Sequence, residues 1–284
     1  MFGDQSLVGQ GGEYLLERLQ KRGLPEPRLA VVLGSGLGGA CPDLEGVLEV
    51  SCAAVPGWPA GGVPGHEGKL RFGSRGGVGL AVQMGRLHYY EGLDMEEVTF
   101  PVRLLAALGV RSIFMSNAAG ALNPAYDRGV LMLVRDHINL MGVNPLRGVR
   151  NVEGEPAFLD LSNLYDTETG DRLVERAQLS RWPLAEGVLV AVSGPSYETG
   201  AELRFMRLVG GDAVSMSLVP ETLVAHFLGM SVTAVSVITN IWDLRRPHAI
   251  SHHDVLKTAG EASTILKEVV TAWVDLLAGG GQAG

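Results

Sequence analysis

Strand-like and helical runs alternate along almost the whole chain, and no other feature limits its possible folds so strongly. Leu15, Leu16 and Leu19 have the spacing of a short amphipathic helix before Gly23. Leu29–Leu33 reads as a β-branched strand ending at Gly34, followed by strands at Leu70–Gly73 and Val78–Met84. Val98–Leu108 reads as a helix, and Ser112–Met115 and Val130–Val134 as strands. The alternation continues with helix Leu173–Leu179, strand Val188–Val192, helix Ala201–Val209, strand Asp212–Val214, helix Thr222–Leu228, strand Ser231–Thr239 and a closing helix Val255–Leu277. This order predicts an α/β sandwich with a mixed, twisted central sheet flanked by helices. No composition break or Ser/Pro-rich linker divides residues 1–284, so one domain is expected, with a disordered tail from Gly279 to Gly284. The polar, irregular stretch from Asn144 to Asn163 reads as a long loop of the kind that often carries function.

Composition removes several classes of function. Apolar residues make up 46% of the chain and charged residues 19%, which suits a large buried core. The net charge is −8 and the Lys and Arg residues are scattered, which argues against nucleic-acid binding. An anionic small molecule stays possible, because local Arg, His and backbone amides can oppose the global charge. Cys41 and Cys52 form neither a metal motif nor a disulfide framework, so a reducing cytoplasm is expected. The first twenty residues carry Asp4, Glu13, Glu17 and Arg18, and no signal peptide is read there. The longest apolar region, Leu218–Thr239, is interrupted by Pro220, Glu221, His226 and Gly229. It reads as a helix, a glycine turn and a strand, with no membrane span.

The polar residues that can do chemistry stand at strand ends, where open α/β sheets bind ligands. Glu198 follows the turn Gly194-Pro195-Ser196, and Ser215-Met216-Ser217 closes the run Asp212–Val214. Gly34-Ser35-Gly36-Leu37-Gly38-Gly39 has the spacing of a dinucleotide fingerprint. Cys41-Pro42 would cut off the helix that such a site needs, and no acid stands at the next strand end. A smaller anion nest built from glycine amides and the Ser35 hydroxyl fits better. Arg86 and His88 alternate after the strand ending at Met84, so an extended backbone puts both on one face, suited to phosphate oxygens. The alternative is a plain strand end with Arg86 paired to Glu91. His66 sits in the turn Pro64-Gly65-His66-Glu67-Gly68 and matters only if that turn closes over the anion. Ala118, in Ser116–Gly120, allows close approach to backbone or simply tight packing. Asn240 at the end of the apolar strand can donate and accept, which suits a heteroaromatic edge, or can serve as a cap. Ser251 and Asp254 have capping spacing around His252 and His253, and two adjacent histidines without a third ligand do not make a zinc site.

In this order, the stretches GSGLGG, VPGHEGKLRFG, MGRLHYYEG, TFPVR, SNAAGALNP, RDHINL, GPSYET, MSLVPE and ITN resemble the trimeric purine nucleoside phosphorylases and 5′-deoxy-5′-methylthioadenosine phosphorylases. The resemblance runs from about Leu29 to about Val270 and is stronger toward the purine nucleoside phosphorylases. It implies a nucleoside phosphorylase-like fold. It also implies a pentosyltransferase of purine salvage that cleaves nucleosides reversibly with inorganic phosphate as co-substrate, with no metal or organic cofactor. By position, Ser35, His66, Arg86, His88, Ala118 and Ser217 are implied phosphate ligands. Tyr90, Met216 and His252 are implied ribose neighbours, joined by Phe158 from an adjoining subunit of a homotrimer. Tyr197, Glu198 and Asn240 are the implied base pocket, with Asn240, Glu198 and His88 as the catalytic residues. Asn at position 240 is associated with 6-oxopurines, so inosine, guanosine and their 2′-deoxy forms are the expected substrates. Ser215 departs from the glycine common in the family, and Ile241-Trp242-Asp243 departs from the mammalian continuation, which keeps adenine nucleosides open. The rival readings are a methylthioadenosine phosphorylase, which His252 disfavours, and a non-catalytic nucleoside-binding protein, which would need no phosphate site.

Overall fold

The computed structural model describes residues 2, 5–61, 68–151, 154–242 and 251–279. Nine strands form one sheet: β1 (Pro27–Leu33), β2 (Glu45–Ser51), β3 (Lys69–Arg75), β4 (Val78–Met84), β5 (Ser112–Ala121), β6 (Leu131–Asn139), β7 (Leu184–Ala191), β8 (Ala213–Ser215) and β9 (Ser231–Ile241). Seven helices accompany them: α1 (Ser6–Lys21), α2 (Met95–Val98), α3 (Phe100–Ala107), α4 (Thr167–Ser180), α5 (Gly200–Leu208), α6 (Val219–Phe227) and α7 (His252–Gly279). The strand order is β2-β3-β4-β1-β5-β8-β7-β6-β9, and β9 also pairs with β5. Five strands therefore close into a ring, while β2, β3, β4 and β1 extend from it as an open wing. β4, β1, β5 and β9 run parallel, and antiparallel pairs at β2–β3, β3–β4, β5–β8 and β6–β9 make the sheet mixed, as the alternation predicts.

The two faces of β1 show how the layers form. Ala30 and Val32 pack into one core with Leu15 and Leu19 of α1, Leu104 and Leu105 of α3, and Leu223 and Val224 of α6. Leu29, Val31 and Leu33 pack into the other with Leu173 of α4 and Leu266, Val270 and Trp273 of α7. Period-two alternation thus serves two buried faces, which explains why the strand reads as a continuous apolar run.

Three segments differ from expectation. The helix read at Val98–Leu108 is two, because Pro101 has no N–H to donate to the Glu97 carbonyl, and Thr99 marks the break. The sequence reading leaves out β2, an edge strand whose Val47, Leu48 and Val50 stand among mostly exposed residues. β5 continues past Met115 through small residues to Ala121. The loop read at Asn144–Asn163 is irregular, with an isolated bridge from Arg150 to Pro156 among its described residues. Gly279 is the last residue of α7 and so is not part of a tail, and residues 280–284 lie outside the described set. Among the described residues no helix is long and apolar enough to cross a membrane.

Candidate active site

The ends of β1, β4, β5, β8 and β9 and the turn after β7 open onto one cavity. It is lined by Ser35, Arg86, His88, Tyr90, Ala118, Tyr197, Glu198, Met216, Ser217, Asn240 and His252, so eleven of the thirteen residues picked from sequence meet there. Of the other two, His66 falls outside the described residues, and Phe158 lies elsewhere, 94% exposed on the long loop.

Local backbone features create this convergence. After β1 the chain passes so close to β5 that a Cβ on Gly34 would sit 2.8 Å from the Ser116 carbonyl oxygen. Only glycine fits there, and Ser35 is delivered directly to the cavity wall. The dinucleotide reading fails on the same segment. Gly38–Ala40 makes a single 3₁₀ turn and Cys41 is already non-helical, so no helix is present to receive a pyrophosphate. On the opposite wall, the β5–β9 register skips Thr239 between the pairs Ala119–Ile238 and Gly120–Asn240. A bulge of this kind re-aims side chains, and here both Thr239 and Asn240 line the cavity. The Asn240 amide lies across Gly120, where a Cβ would be 2.7 Å from Nδ2. The Thr239 hydroxyl donates to Asn240 Oδ1 at 3.0 Å, which leaves the donor end, Nδ2, for a ligand.

Arg86 and His88 are both buried in the cavity wall. The Arg86 side chain is 1% exposed. Its Nε donates to Glu221 Oε1 at 3.1 Å and its Nη1 to the Ser116 carbonyl at 2.8 Å. The pairing with Glu91 that the sequence allowed does not form. Glu91 instead serves His88: Oε1 accepts the His88 backbone N–H and lies 2.9 Å from Nδ1. This orients the ring, which stacks on Tyr90 at a centroid distance of 4.6 Å. Ser217 follows β8, in a turn where its carbonyl accepts from the Val219 N–H at 3.0 Å and from the Ser215 hydroxyl at 3.3 Å.

The Glu198 carboxylate differs from these paired ones. Burial pushes the Glu198 carboxyl above its ordinary value, and the neighbouring Glu202 adds to the rise. Burial likewise raises Tyr197, and it pushes Tyr90 up to about 12 with help from Glu91. A half-desolvated carboxylate beside an aromatic face, at the edge of a cavity, is set up to receive an N–H donor.

The sequence reading left out Asn117, Thr239, Glu91 and Glu221. Asn117 is buried and lines the cavity. Its Oδ1 accepts from Ser236, and among the described residues its buried Nδ2 makes no hydrogen bond. Glu91 bonds His88 and Glu221 bonds Arg86 rather than lining the cavity, and spacing alone does not disclose that. Ser251 accepts the Asp254 N–H at 3.1 Å as the first-turn cap of α7, and this sets His252 at the rim.

Comparison with known proteins agrees with this geometry. Residues 28–275 match the family model described as the phosphorylase superfamily. Purine nucleoside phosphorylase 1 of Bacillus subtilis (strain 168) is 40% identical over 255 residues, covering 89% of this chain and 94% of that protein. Purine nucleoside phosphorylase of Bos taurus is 38% identical over 271 residues, covering 91% of each. The crystal structure of Schistosoma mansoni purine nucleoside phosphorylase in complex with adenosine superposes with a TM-score of 0.83 at 30% identity, over 94% of this chain and 96% of that one. The chain belongs to the phosphorylase superfamily and, within it, to the purine nucleoside phosphorylases. It is thereby a pentosyltransferase.

Proposed function

We propose that the protein catalyses the reversible phosphorolysis of 6-oxopurine nucleosides, namely inosine, guanosine and their 2′-deoxy forms. The products are the free base and (deoxy)ribose 1-phosphate, and the setting is cytoplasmic purine salvage. The reading rests on one observation: a single cavity is lined by Ser35, Arg86, His88 and Ser217 together with Tyr197, Glu198, Asn240, Tyr90, Met216 and His252.

Breaking the glycosidic bond leaves positive charge on the sugar and negative charge on the purine, through an oxocarbenium-like transition state. Phosphate bound by Ser35, His66, Arg86, His88, Ser217 and the Ala118 backbone lies beside that sugar and attacks its anomeric carbon. Asn240 Nδ2 donates to purine nitrogen 7 and the 6-oxygen, where leaving-group charge collects. Glu198 accepts the ring N–H and a 2-amino group, and a ligand donor compensates for the hydration its carboxylate has lost. Such preorganised contacts to developing charge are typically worth ~3–4 kcal/mol each. Tyr197 packs on the base, Tyr90 and Met216 flank the ribose, and His252 meets the 5′-hydroxyl. Phe158 covers the ribose of an adjoining subunit in a homotrimer. The reaction needs no metal or organic cofactor, since phosphate is the nucleophile and the amide and carboxylate handle the leaving group.

The deciding experiment incubates the protein with inosine or adenosine, with and without phosphate. Base release from inosine that requires phosphate is expected. Release without phosphate overturns the reading. Adenosine is the competing substrate because the Schistosoma mansoni protein was solved with it. Faster turnover of adenosine would overturn the role given to Asn240.

A further inference from the structure

Leu218, the residue after Ser217, has φ 75° and ψ −51°, and it is one of two described non-glycine residues with positive φ. With the Val219 N–H bonded to the Ser217 carbonyl at 3.0 Å, Ser217-Leu218-Val219 forms the rare, strained variety of γ-turn. A side chain costs free energy in that conformation, so the surroundings must hold it. The Leu218 carbonyl is held by the Thr222 N–H and hydroxyl, both at 2.9 Å, and its N–H by a carboxylate. Glu221, in the first turn of α6 and 3% exposed, accepts the Leu218 N–H on Oε2 at 3.0 Å and Arg86 Nε on Oε1 at 3.1 Å.

We infer that Glu221 is a positioning residue that sets the phosphate site by fixing Arg86 and the Ser217 turn to one another. Both of its neighbours are donors, so the position calls for two acceptors. A carboxylate supplies two, whereas the equal-sized Gln amide supplies one and turns its own N–H₂ toward a donor. The carboxylate also places a full negative charge against the buried guanidinium, which needs a partner at that depth. Arg86 comes from the end of β4 and Ser217 from the end of β8, two strands that are not neighbours in the sheet. The Glu221 carboxylate joins these two walls by hydrogen bonds. Loss of either bond frees one wall to move relative to the other. The oxyanions of phosphate then meet their ligands out of register, while the Asn240 amide keeps its bond from Thr239.

This inference rests on the phosphorylase reading given above, and the test separates the two. Wild-type protein, Glu221→Gln and Glu221→Asp are compared for KM of phosphate, KM of inosine and kcat, alongside melting temperature with and without phosphate. Glu221→Gln is expected to raise KM for phosphate by about tenfold or more, the usual consequence of losing one charged hydrogen bond. KM for inosine should change much less, and the rise in melting temperature produced by phosphate should shrink. Glu221→Asp keeps two acceptors on a shorter stem and should fall between the two. It gives a second reading should the Gln variant fail to fold. A folded Gln or Asp variant with wild-type KM for phosphate overturns the inference. So does a variant that loses kcat and melting temperature with both KM values unmoved, the pattern of a merely structural carboxylate. Base release by wild-type protein without phosphate overturns the function itself, whatever the variants do.

Discussion

Oε1 of Glu91 lies 2.9 Å from Nδ1 of His88 and also accepts that residue's backbone N–H at 2.9 Å. One carboxylate oxygen thus fixes both the chain and the ring, and a proton on Nδ1 completes the second bond. Glu91→Ala should lower kcat/KM for phosphate about 10- to 100-fold, as expected for loss of a charged hydrogen bond. Glu91→Gln keeps an acceptor oxygen and should lose less. Steady-state kinetics with phosphate varied checks both, and equal losses for Ala and Gln would show that orientation is not what Glu91 contributes.

Glu198 ties activity and stability to pH in opposite directions. Its carboxyl is raised in the folded protein, chiefly by burial. Folding therefore favours the protonated form. That contribution to stability is fully present below the unfolded value and is lost as pH rises through the folded one. Base recognition needs the ionised form, so the acidic limb of kcat/KM for inosine should lie above the ordinary Glu range of about 4.3. Glu198→Gln removes the cost of burying charge. It should melt at a higher temperature than wild type at neutral pH, with the difference vanishing in acid, while losing roughly 10²–10³ in kcat. Glu198→Ala should also fold and lose most activity. Near-normal turnover of inosine by either variant would remove Glu198 from base reading.

The amide at position 240 should govern the choice between 6-oxo and 6-amino purines. Asn240→Asp replaces a donor with a group that only accepts, so the ratio of kcat/KM for adenosine over inosine should rise at least tenfold (~1.4 kcal/mol). Thr239→Val removes the hydroxyl that donates to Asn240 Oδ1 and should reduce inosine turnover by about tenfold, leaving phosphate KM unmoved. An unchanged nucleoside preference in Asn240→Asp would mean that selection lies elsewhere in the cavity, with Ser215 the first place to look.

Phe158 is 94% exposed, so shortening it should cost the isolated subunit little stability. As the cover of an adjoining ribose, it should matter to binding. Phe158→Ala is expected to raise KM for inosine several-fold with KM for phosphate unaltered, and sedimentation should find a trimer. A fully active monomer would refute the shared-site picture.

The site was legible in sequence where a strand ends in polar residues. Ser35, Arg86, Glu198, Ser217 and Asn240 each follow an apolar run, and topology brings those ends together. What stayed hidden was anything that acts through another side chain. Glu91 could be noticed three residues from His88, but its preference for His88 over Arg86 depends on the path of the chain after β4. Glu221 lies 135 residues from Arg86 in sequence, and no spacing rule spans that interval. In the fold, strands buried on both sides announced themselves, whereas β2 did not. The bulge at Thr239 was invisible because it is set by pairing with β5 rather than by residue type.

The extra pairing of β9 with β5 has a consequence for self-association. A sheet normally presents two unpaired borders along which another chain can add a strand. Here one border has been used up internally, since β9 is bonded on both sides, to β6 and to β5. Among the described residues the remaining border is β2, whose exposed Glu49 is ion-paired to Arg71 and Lys69 of β3. Growth by strand addition would use this one described border, where ion pairs tie β2 to its neighbour.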